Sequence, residues 1–364
     1  MSNHGTGPVG IGIIGCGNIS PAYLKALPGF PGVQVRGVAD LDDAASAARA
    51  AEFGVPQRSV EDLLADPSIE LIVNLTTPKS HLEVGLAAFA AGKHVHSEKP
   101  LATRFADGAR LMEAARAANR LVGCAPDTFL GGGHQTCRRL LDEGRIGTPV
   151  GGTATFMCPG HERWHPNPDF YYHTGGGPML DMGPYYLTAL VNLLGPVESV
   201  AGMVSTPRAT REIDSEPRRG QTITVEVPTH VAGIIRFASG AIVQVTTSFD
   251  VAGHRHTPIE LYGTLGTLVV PDPNRFGGPI ELLPTGGTWE EIPVDAPYAD
   301  GNYRGIGAAD LGRAIRTGQP HRASGALALH VLEVMEAFGR SSETGRQVAI
   351  ETRVERPAPL VPLS

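Results

Sequence analysis

Val9-Gly10-Ile11-Gly12-Ile13-Ile14-Gly15-Cys16-Gly17-Asn18-Ile19-Ser20 is the stretch that decides the fold. An apolar run passing directly into Gly15-x-Gly17-x-x-Ser20 is how a buried strand hands over to a helix that receives a phosphate. Gly15 permits the tight turn, and Gly17 lets backbone N–H groups approach a pyrophosphate with no Cβ in the way. Asn18 and Ile19 complete the expected phosphate loop. Ser20 stands where a third Gly or Ala is usual and is small enough for close helix–strand packing. A second apolar run, Val33 to Ala39, ends in Asp40, 25 residues after Gly15, about where the ribose-binding acid of a dinucleotide site falls. A carboxylate there accepts hydrogen bonds from ribose hydroxyls and repels a 2′-phosphate, so NAD is expected in preference to NADP. The structural alternative is an ordinary turn followed by an acid that ends a strand; spacing, order and strand context together favour the nucleotide.

A chain of 364 residues is too long for one ordinary core and most naturally forms two domains. With 18% charged residues, a net charge of -7 and no Lys/Arg block, nucleic acid and anionic membrane are poor partners, and a small-molecule ligand fits better. The first residues show neither a basic nor an apolar leader region, and no apolar run is long enough to span a bilayer, so a cytoplasmic setting is expected. Cys16, Cys124, Cys137 and Cys158 lie far apart, which suggests neither a disulfide framework nor a zinc site.

After Asp40 the pattern alternates between helix and strand. Helices are expected at Asp42–Phe53, Ser59–Ala65, Ser80–Ala91 and Phe105–Asn119, and strands at Leu71–Leu75, His94–Ser97 and Leu121–Ala125. Such winding builds a mostly parallel sheet with ligands at the carboxyl ends of its strands. A helix at Gln135–Glu143 precedes a change of character. From Val150 onward β-branched runs dominate, at 152–157, 197–205, 223–227, 231–237, 241–249 and 258–270, and predict an antiparallel or mixed sheet. Thr206 to Gly220 reads as an exposed loop, and closing helices are expected near 305–316 and 327–340.

At one strand end the chain reads His96-Ser97-Glu98-Lys99-Pro100, which places a carboxylate and an ammonium at the ligand edge of the first sheet. A second constellation is Gly175-Gly176-Gly177-Pro178-Met179-Leu180-Asp181-Met182-Gly183-Pro184-Tyr185. If a helix begins near Asp181, Asp181 and Tyr185 share one face and Pro184 falls in the tolerant first turn. The plain structural reading makes Asp181 an N-cap and the tyrosines core.

The glycine fingerprint, Glu98-Lys99-Pro100 and Gly-Gly-Gly-x-x-x-Asp181-x-Gly183-x-Tyr185, in that order, resemble the Gfo/Idh/MocA family of oxidoreductases, in its glucose-fructose oxidoreductase and inositol dehydrogenase branches. The resemblance covers essentially the whole chain. It implies an α/β fold: an N-terminal Rossmann doubly wound parallel sheet in residues 1–126, then a substrate-binding and oligomerisation α+β domain in 127–364. That second domain would carry a large open, mainly antiparallel sheet, with the last helices able to pack back on the first domain. It further implies hydride exchange between NAD and a hydroxyl or carbonyl carbon of a sugar, glycoside or cyclitol, and a homo-oligomer, dimer or tetramer.

By the same resemblance Lys99, Asp181 and Tyr185 are the catalytic candidates, with tyrosine where histidine is usual. Two assignments stay open: Tyr185 exchanges the proton with Lys99 lowering its pKa, or Lys99 exchanges it directly. Thr76, Thr77, Pro78 and His81, with Glu98 and Lys99, are expected at the dinucleotide. Asp127 follows a strand where many relatives place a basic or amide residue, and joins the expected substrate set. Trp164, His165 and Tyr172 belong to an aromatic and polar stretch, His161 to His173, suited to a sugar ring. No metal-ligand spacing occurs. A sugar–sugar oxidoreductase with retained cofactor, or a non-catalytic NAD-binding sensor, are the competing readings.

Overall fold

A computed structural model of the chain describes residues 7–363; Met1–Thr6, part of the stretch read above as lacking a leader, and Ser364 lie outside the described residues. The chain divides into two compact units. One holds the residues up to Gly131 together with 300–329 and the stretch from Pro357; the other holds 132–299 and 330–356.

The first unit alternates strand and helix, with two helices between its second and third strands. It runs β1 (Val9–Ile14), α1 (Ser20–Ala26), β2 (Val33–Ala39), α2 (Asp43–Phe53), α3 (Val60–Ala65), β3 (Leu71–Asn74), α4 (His81–Ala90), β4 (His94–Ser97), α5 (Phe105–Ala117) and β5 (Val122–Cys124). All strand pairs are parallel, in the order β2-β1-β3-β4-β5. Every residue of β1, β3 and β5 is buried, as expected for strands covered on both faces. Asp42 caps α2 by accepting from the N–H groups of Ala44 and Ala45, and Ser59 caps α3 through Asp62 N–H. A helix from late in the chain, α8 (Ile306–Thr317), packs on β1, β4 and β5. Gly312 makes this approach feasible, because a Cβ there would stand 2.6 Å from Val33.

The second unit begins with α6 (Gly132–Asp142), β6 (Pro149–Met157) and α7 (Pro178–Leu194). The strands β7 (Val197–Ser205), β8 (Thr210–Glu212), β9 (Thr222–Thr224), β10 (His230–Phe237), β11 (Ile242–Ser248), β12 (Ile259–Gly263), β13 (Gly266–Val270), β14 (Glu281–Pro284) and β15 (Glu290–Glu291) follow. Helix α9 (Gly325–Thr344) and β16 (Val348–Ala349) close it; the first residues of α9 count with the first unit. Nine strands form one sheet ordered β15-β14-β13-β12-β6-β11-β10-β7-β16, antiparallel except between β6 and β11. Alternation sorts its faces: in β11 Val243 and Val245 are buried while Ile242 and Gln244 are exposed. Helix α7 lies against β6, β10 and β11, and Phe338 of α9 sits where only Gly202 and Gly233 leave room. Met203, Ile234 and Ile242 remain exposed.

Two expectations are corrected. Helix α7 starts at Pro178, capped by Gly177, so Asp181 is not its N-cap and Pro184 lies inside the helix, where its ring forfeits one backbone hydrogen bond. The stretch Thr206 to Gly220 is not simply an exposed loop. It contains β8, which pairs with β9, and Arg211 on β8 is buried because two carboxylates receive its guanidinium.

Candidate active site

In the first unit the glycine loop leaves β1 at Gly15, whose φ of +105° and position above Leu75 exclude a side chain: a Cβ would stand 2.6 Å from the Leu75 carbonyl oxygen. Gly17 differs, with open space around its Cβ direction. Ser20 is buried and turns its hydroxyl back to the Gly17 carbonyl at 2.8 Å, which explains why serine serves where a third glycine is usual. Ile19 precedes α1 with no side-chain cap. Asp40 follows β2 directly, and its Oδ2 accepts from Cys16 N–H at 2.6 Å while Oδ1 accepts from Asp42 N–H at 3.0 Å. A forced glycine turn, an open glycine beside it and a carboxylate fixed at the end of the second strand fit a dinucleotide.

The neighbouring strand ends are joined from within. Asn74 Oδ1 accepts from Thr76 N–H at 3.2 Å and Thr76 Oγ1 at 2.7 Å. Thr77 precedes a short 3-10 turn at Pro78–Ser80. His81 is fully buried, with Nδ1 2.7 Å from the Pro100 carbonyl and Nε2 3.1 Å from the Thr76 carbonyl, so its ring braces two ligand-edge loops. Burial holds its pKa below the usual histidine value although both carbonyls oppose this. Glu98 accepts from Tyr23 Oη at 2.7 Å and from Lys99 N–H at 3.0 Å. Burial and that carboxylate push the Tyr23 phenol well up. Lys99 is half-buried at the following position.

Asp127 is placed differently from the sequence expectation of substrate contact. It is buried, and Oδ2 accepts from Gly305 N–H at 2.8 Å and Gly307 N–H at 3.1 Å, so it caps the start of α8. Burial pushes its pKa up to about 6 against those two hydrogen bonds.

In the second unit two of the three glycines before α7 answer to close backbone approaches. A Cβ on Gly176 would stand 2.3 Å from the Phe170 carbonyl oxygen, and Gly177, at φ +89°, faces the Pro228 carbonyl. The chain then enters α7, with Asp181 in its first turn and Tyr185 one turn later, buried. Gly183 makes room for the sulfurs of Met179 and Met335.

Between β6 and α7 the loop brings a residue to Asp181 that the sequence did not single out. His161 Nε2 lies 3.1 Å from Asp181 Oδ2, and Trp164 Nε1 donates to His161 Nδ1 at 3.2 Å. The imidazole packs in the corner formed by Tyr171 and Phe249, at 4.4 and 4.6 Å between ring centroids. Trp164 is 61% exposed, Phe170 is also exposed, and His165 stands among Trp164, Phe170 and Tyr171. Burial lowers the His165 pKa.

Tyr172, expected at the substrate, is fully buried instead: its hydroxyl donates to Glu162 Oε2 and accepts His161 N–H at 3.2 Å. Arg211 completes this foundation. Its Nη1 reaches Glu162 Oε1 at 2.9 Å and its Nη2 reaches Asp250 Oδ1 at 2.5 Å. No local spacing signals these partners, which come from four separate chain segments. Among the described residues no cluster of metal-ligating side chains occurs, and no helix is long and apolar enough to cross a membrane.

The two units define a class: a nucleotide-binding parallel sheet joined in one chain to an open-sheet α/β domain carrying a carboxylate and an aromatic loop, as in NAD-dependent oxidoreductases. Comparison with known proteins agrees. Residues 9–125 match the oxidoreductase family with NAD-binding Rossmann fold, and 134–269 match the GFO/IDH/MocA C-terminal domain. The chain belongs to the Gfo/Idh/MocA oxidoreductase family, and its cofactor is NAD. It is similar to a 1,5-anhydro-D-fructose reductase of Ensifer adhaerens, 30% identical over 71% of this chain and 74% of that one. It is likewise similar to a dTDP-3,4-didehydro-2,6-dideoxy-alpha-D-glucose 3-reductase of Saccharopolyspora spinosa, 31% identical over 72% of this chain and 74% of that one. Among solved structures, levoglucosan dehydrogenase in complex with NADH superposes with a TM-score of 0.83 at 21% identity, covering 95% of this chain and all of that one.

Proposed function

We propose that the protein is an NAD-dependent dehydrogenase or reductase acting on a CH–OH carbon of a sugar, glycoside or cyclitol. One observation carries this: Asp181, a hydrogen-bond acceptor, is joined through His161 to the exposed indole of Trp164. A carboxylate for hydroxyl groups beside an aromatic face for C–H groups is what a sugar ring needs. The names of the curated relatives point to the same substrate class.

The residues proposed to hold the cofactor are Gly15, Gly17, Asn18 and Ile19 at the phosphates, Asp40 at the adenosine ribose, and Thr76, Thr77, Pro78 and Glu98 beyond. When bound, NAD supplies the nicotinamide carbon that exchanges hydride. This chain's own groups orient the substrate and move its hydroxyl proton. Asp181 orients the reacting hydroxyl, Tyr185 exchanges its proton, and Lys99 supplies the cation that makes a phenol competent near neutral pH, since an unperturbed tyrosine titrates near pH ~10. Trp164 and His165 hold the ring.

We place the protein in the cytoplasm, a setting that suits its four free cysteines. A homo-oligomer would cover the sheet face that exposes Met203, Ile234 and Ile242, and light scattering on the purified chain reads its order.

The test is incubation with NAD or NADP and a panel of pyranoses, glycosides and cyclitols while following reduced-nicotinamide absorbance. Turnover with NAD supports the reading. Silence on every member, with NAD bound, overturns it in favour of a sensor; turnover only when two sugars are supplied together assigns a retained cofactor.

A further inference from the structure

The loop between β6 and α7 holds a histidine to which the proposed mechanism gives no role. His161 is only 12% exposed at its side chain, and both ring nitrogens are engaged. An indole nitrogen donates and cannot accept, so the 3.2 Å hydrogen bond from Trp164 Nε1 makes Nδ1 the lone-pair nitrogen of a neutral imidazole. The ring hydrogen therefore sits on Nε2, aimed at Asp181 Oδ2 3.1 Å away. We propose that His161 is a positioning residue: a fixed N–H donor that holds the Asp181 carboxylate in the orientation that receives the substrate hydroxyl, with Trp164 selecting the tautomer. This rests on the dehydrogenase reading above.

The same geometry argues against His161 as a proton carrier. A second proton at Nδ1 would face the indole N–H, and Nε2 already carries its hydrogen. A fixed donor requires a fixed loop, and the surroundings supply one. His161 N–H donates to Tyr172 Oη at 3.2 Å, Arg211 Nη1 reaches the Pro159 carbonyl at 3.2 Å and Glu162 at 2.9 Å, and Arg211 Nη2 holds the Phe249 carbonyl at 2.9 Å. The imidazole is thus clamped before and after in sequence, and Tyr171 and Phe249, in edge-on contact with each other, pack against it at 4.4 and 4.6 Å between ring centroids. Preorganisation of this kind lets a neighbouring group act without rearrangement during the reaction.

Three variants of the full chain, assayed with the best sugar from the panel, test this. His161→Phe keeps an aromatic ring packed against Tyr171 and Phe249 and removes the donor; its kcat is expected to fall about 10- to 100-fold, the range for a hydrogen bond to a charged group, with NADH affinity unchanged. His161→Gln restores an N–H at similar reach and is expected to recover most of the loss. Trp164→Phe frees the tautomer and is expected to lower kcat by a smaller factor, roughly fivefold. His161→Phe with wild-type kcat overturns the proposal. So does His161→Gln as impaired as His161→Phe while both bind NADH normally, because the ring would then be only packing. A readout independent of turnover separates this from the dehydrogenase reading: long-range 1H–15N NMR should show His161 protonated at Nε2 in wild type and a tautomer mixture in Trp164→Phe. An Nδ1-protonated wild-type ring overturns the positioning role; silence of wild type on every substrate with the expected tautomer overturns the dehydrogenase reading alone.

Discussion

Cys16 N–H donates to Asp40 Oδ2 at 2.6 Å, so the acid proposed to hold the ribose also fastens the glycine loop. A single side chain thereby sets both the shape of the phosphate loop and the charge at the ribose. Asp40→Ala is expected to weaken NADH about tenfold, equivalent to ~1.4 kcal/mol, and to narrow the gap between NADH and NADPH, because the carboxylate that repels a 2′-phosphate is gone. Fluorescence titration with both nucleotides measures this. Unchanged NADH affinity would remove Asp40 from the ribose.

Asp127 makes a pH-dependent contribution that opposes folding near neutrality. Its carboxyl rises from 3.8 to about 6 on folding, chiefly by burial, so the folded chain binds this proton more tightly than the unfolded one. Its contribution is most favourable below pH ~4 and is lost as the pH climbs to about 6, an effect on the order of 3 kcal/mol. Asp127→Asn keeps an oxygen for Gly305 and Gly307 without the charge. Relative to wild type it is expected to gain stability between pH 4.5 and pH 7.5, whereas Asp127→Ala loses the cap of α8 by about 1 kcal/mol at both. Thermal melts of the three chains at the two pH values decide; a pH-independent difference between Asn and wild type would contradict the buried, raised carboxyl.

The legible parts of this chain are the local ones. Gly15, Gly17 and Asp40 announce themselves because turn, strand end and spacing are short-range properties, and the alternating pattern after Asp40 is written in periodicity. Asp181 and Tyr185 were visible as a pair one helical turn apart. His161 was not, since its meaning depends on a hydrogen bond to a residue 20 positions later. Asp127 and Tyr172 carry side chains that suit a ligand equally well, and only three-dimensional packing shows one capping α8 and the other buried on Glu162. A polar stretch such as Thr206 to Gly220 reads as surface because sequence cannot show that Glu162 and Asp250 wait for Arg211.

That buried triad is expected to be costly to break. Arg211→Met leaves Glu162 and Asp250 facing each other's environment without their cation, and removal of one partner from a buried ion pair costs about 3–5 kcal/mol. The melting temperature should fall by several degrees, and turnover should fall further than stability explains, because Glu162 and Tyr172 support the backbone of His161. Scanning calorimetry beside kinetics at a temperature where the variant stays folded separates the two effects. A variant as stable as wild type would mean that neighbouring groups or water already satisfy the two carboxylates.

Tyr185 and Lys99 are the two groups proposed for the proton exchange, and two conservative substitutions decide between them. Tyr185→Phe removes one oxygen from a buried ring in α7 and leaves the helix intact, so a lost hydroxyl is the only chemical change. If the phenol exchanges the proton, turnover is expected to fall roughly 10²- to 10⁴-fold with NADH affinity unchanged. Lys99→Met keeps the length of the stem and removes the cation; under the same mechanism it shifts the acidic limb of the kcat profile for oxidation with NAD upward, because the phenol that accepts the proton loses the charge that lowers its pKa. Near-normal turnover in Tyr185→Phe, combined with abolished turnover in Lys99→Met, transfers the acid–base role to the lysine and leaves Tyr185 as a wall of the substrate site.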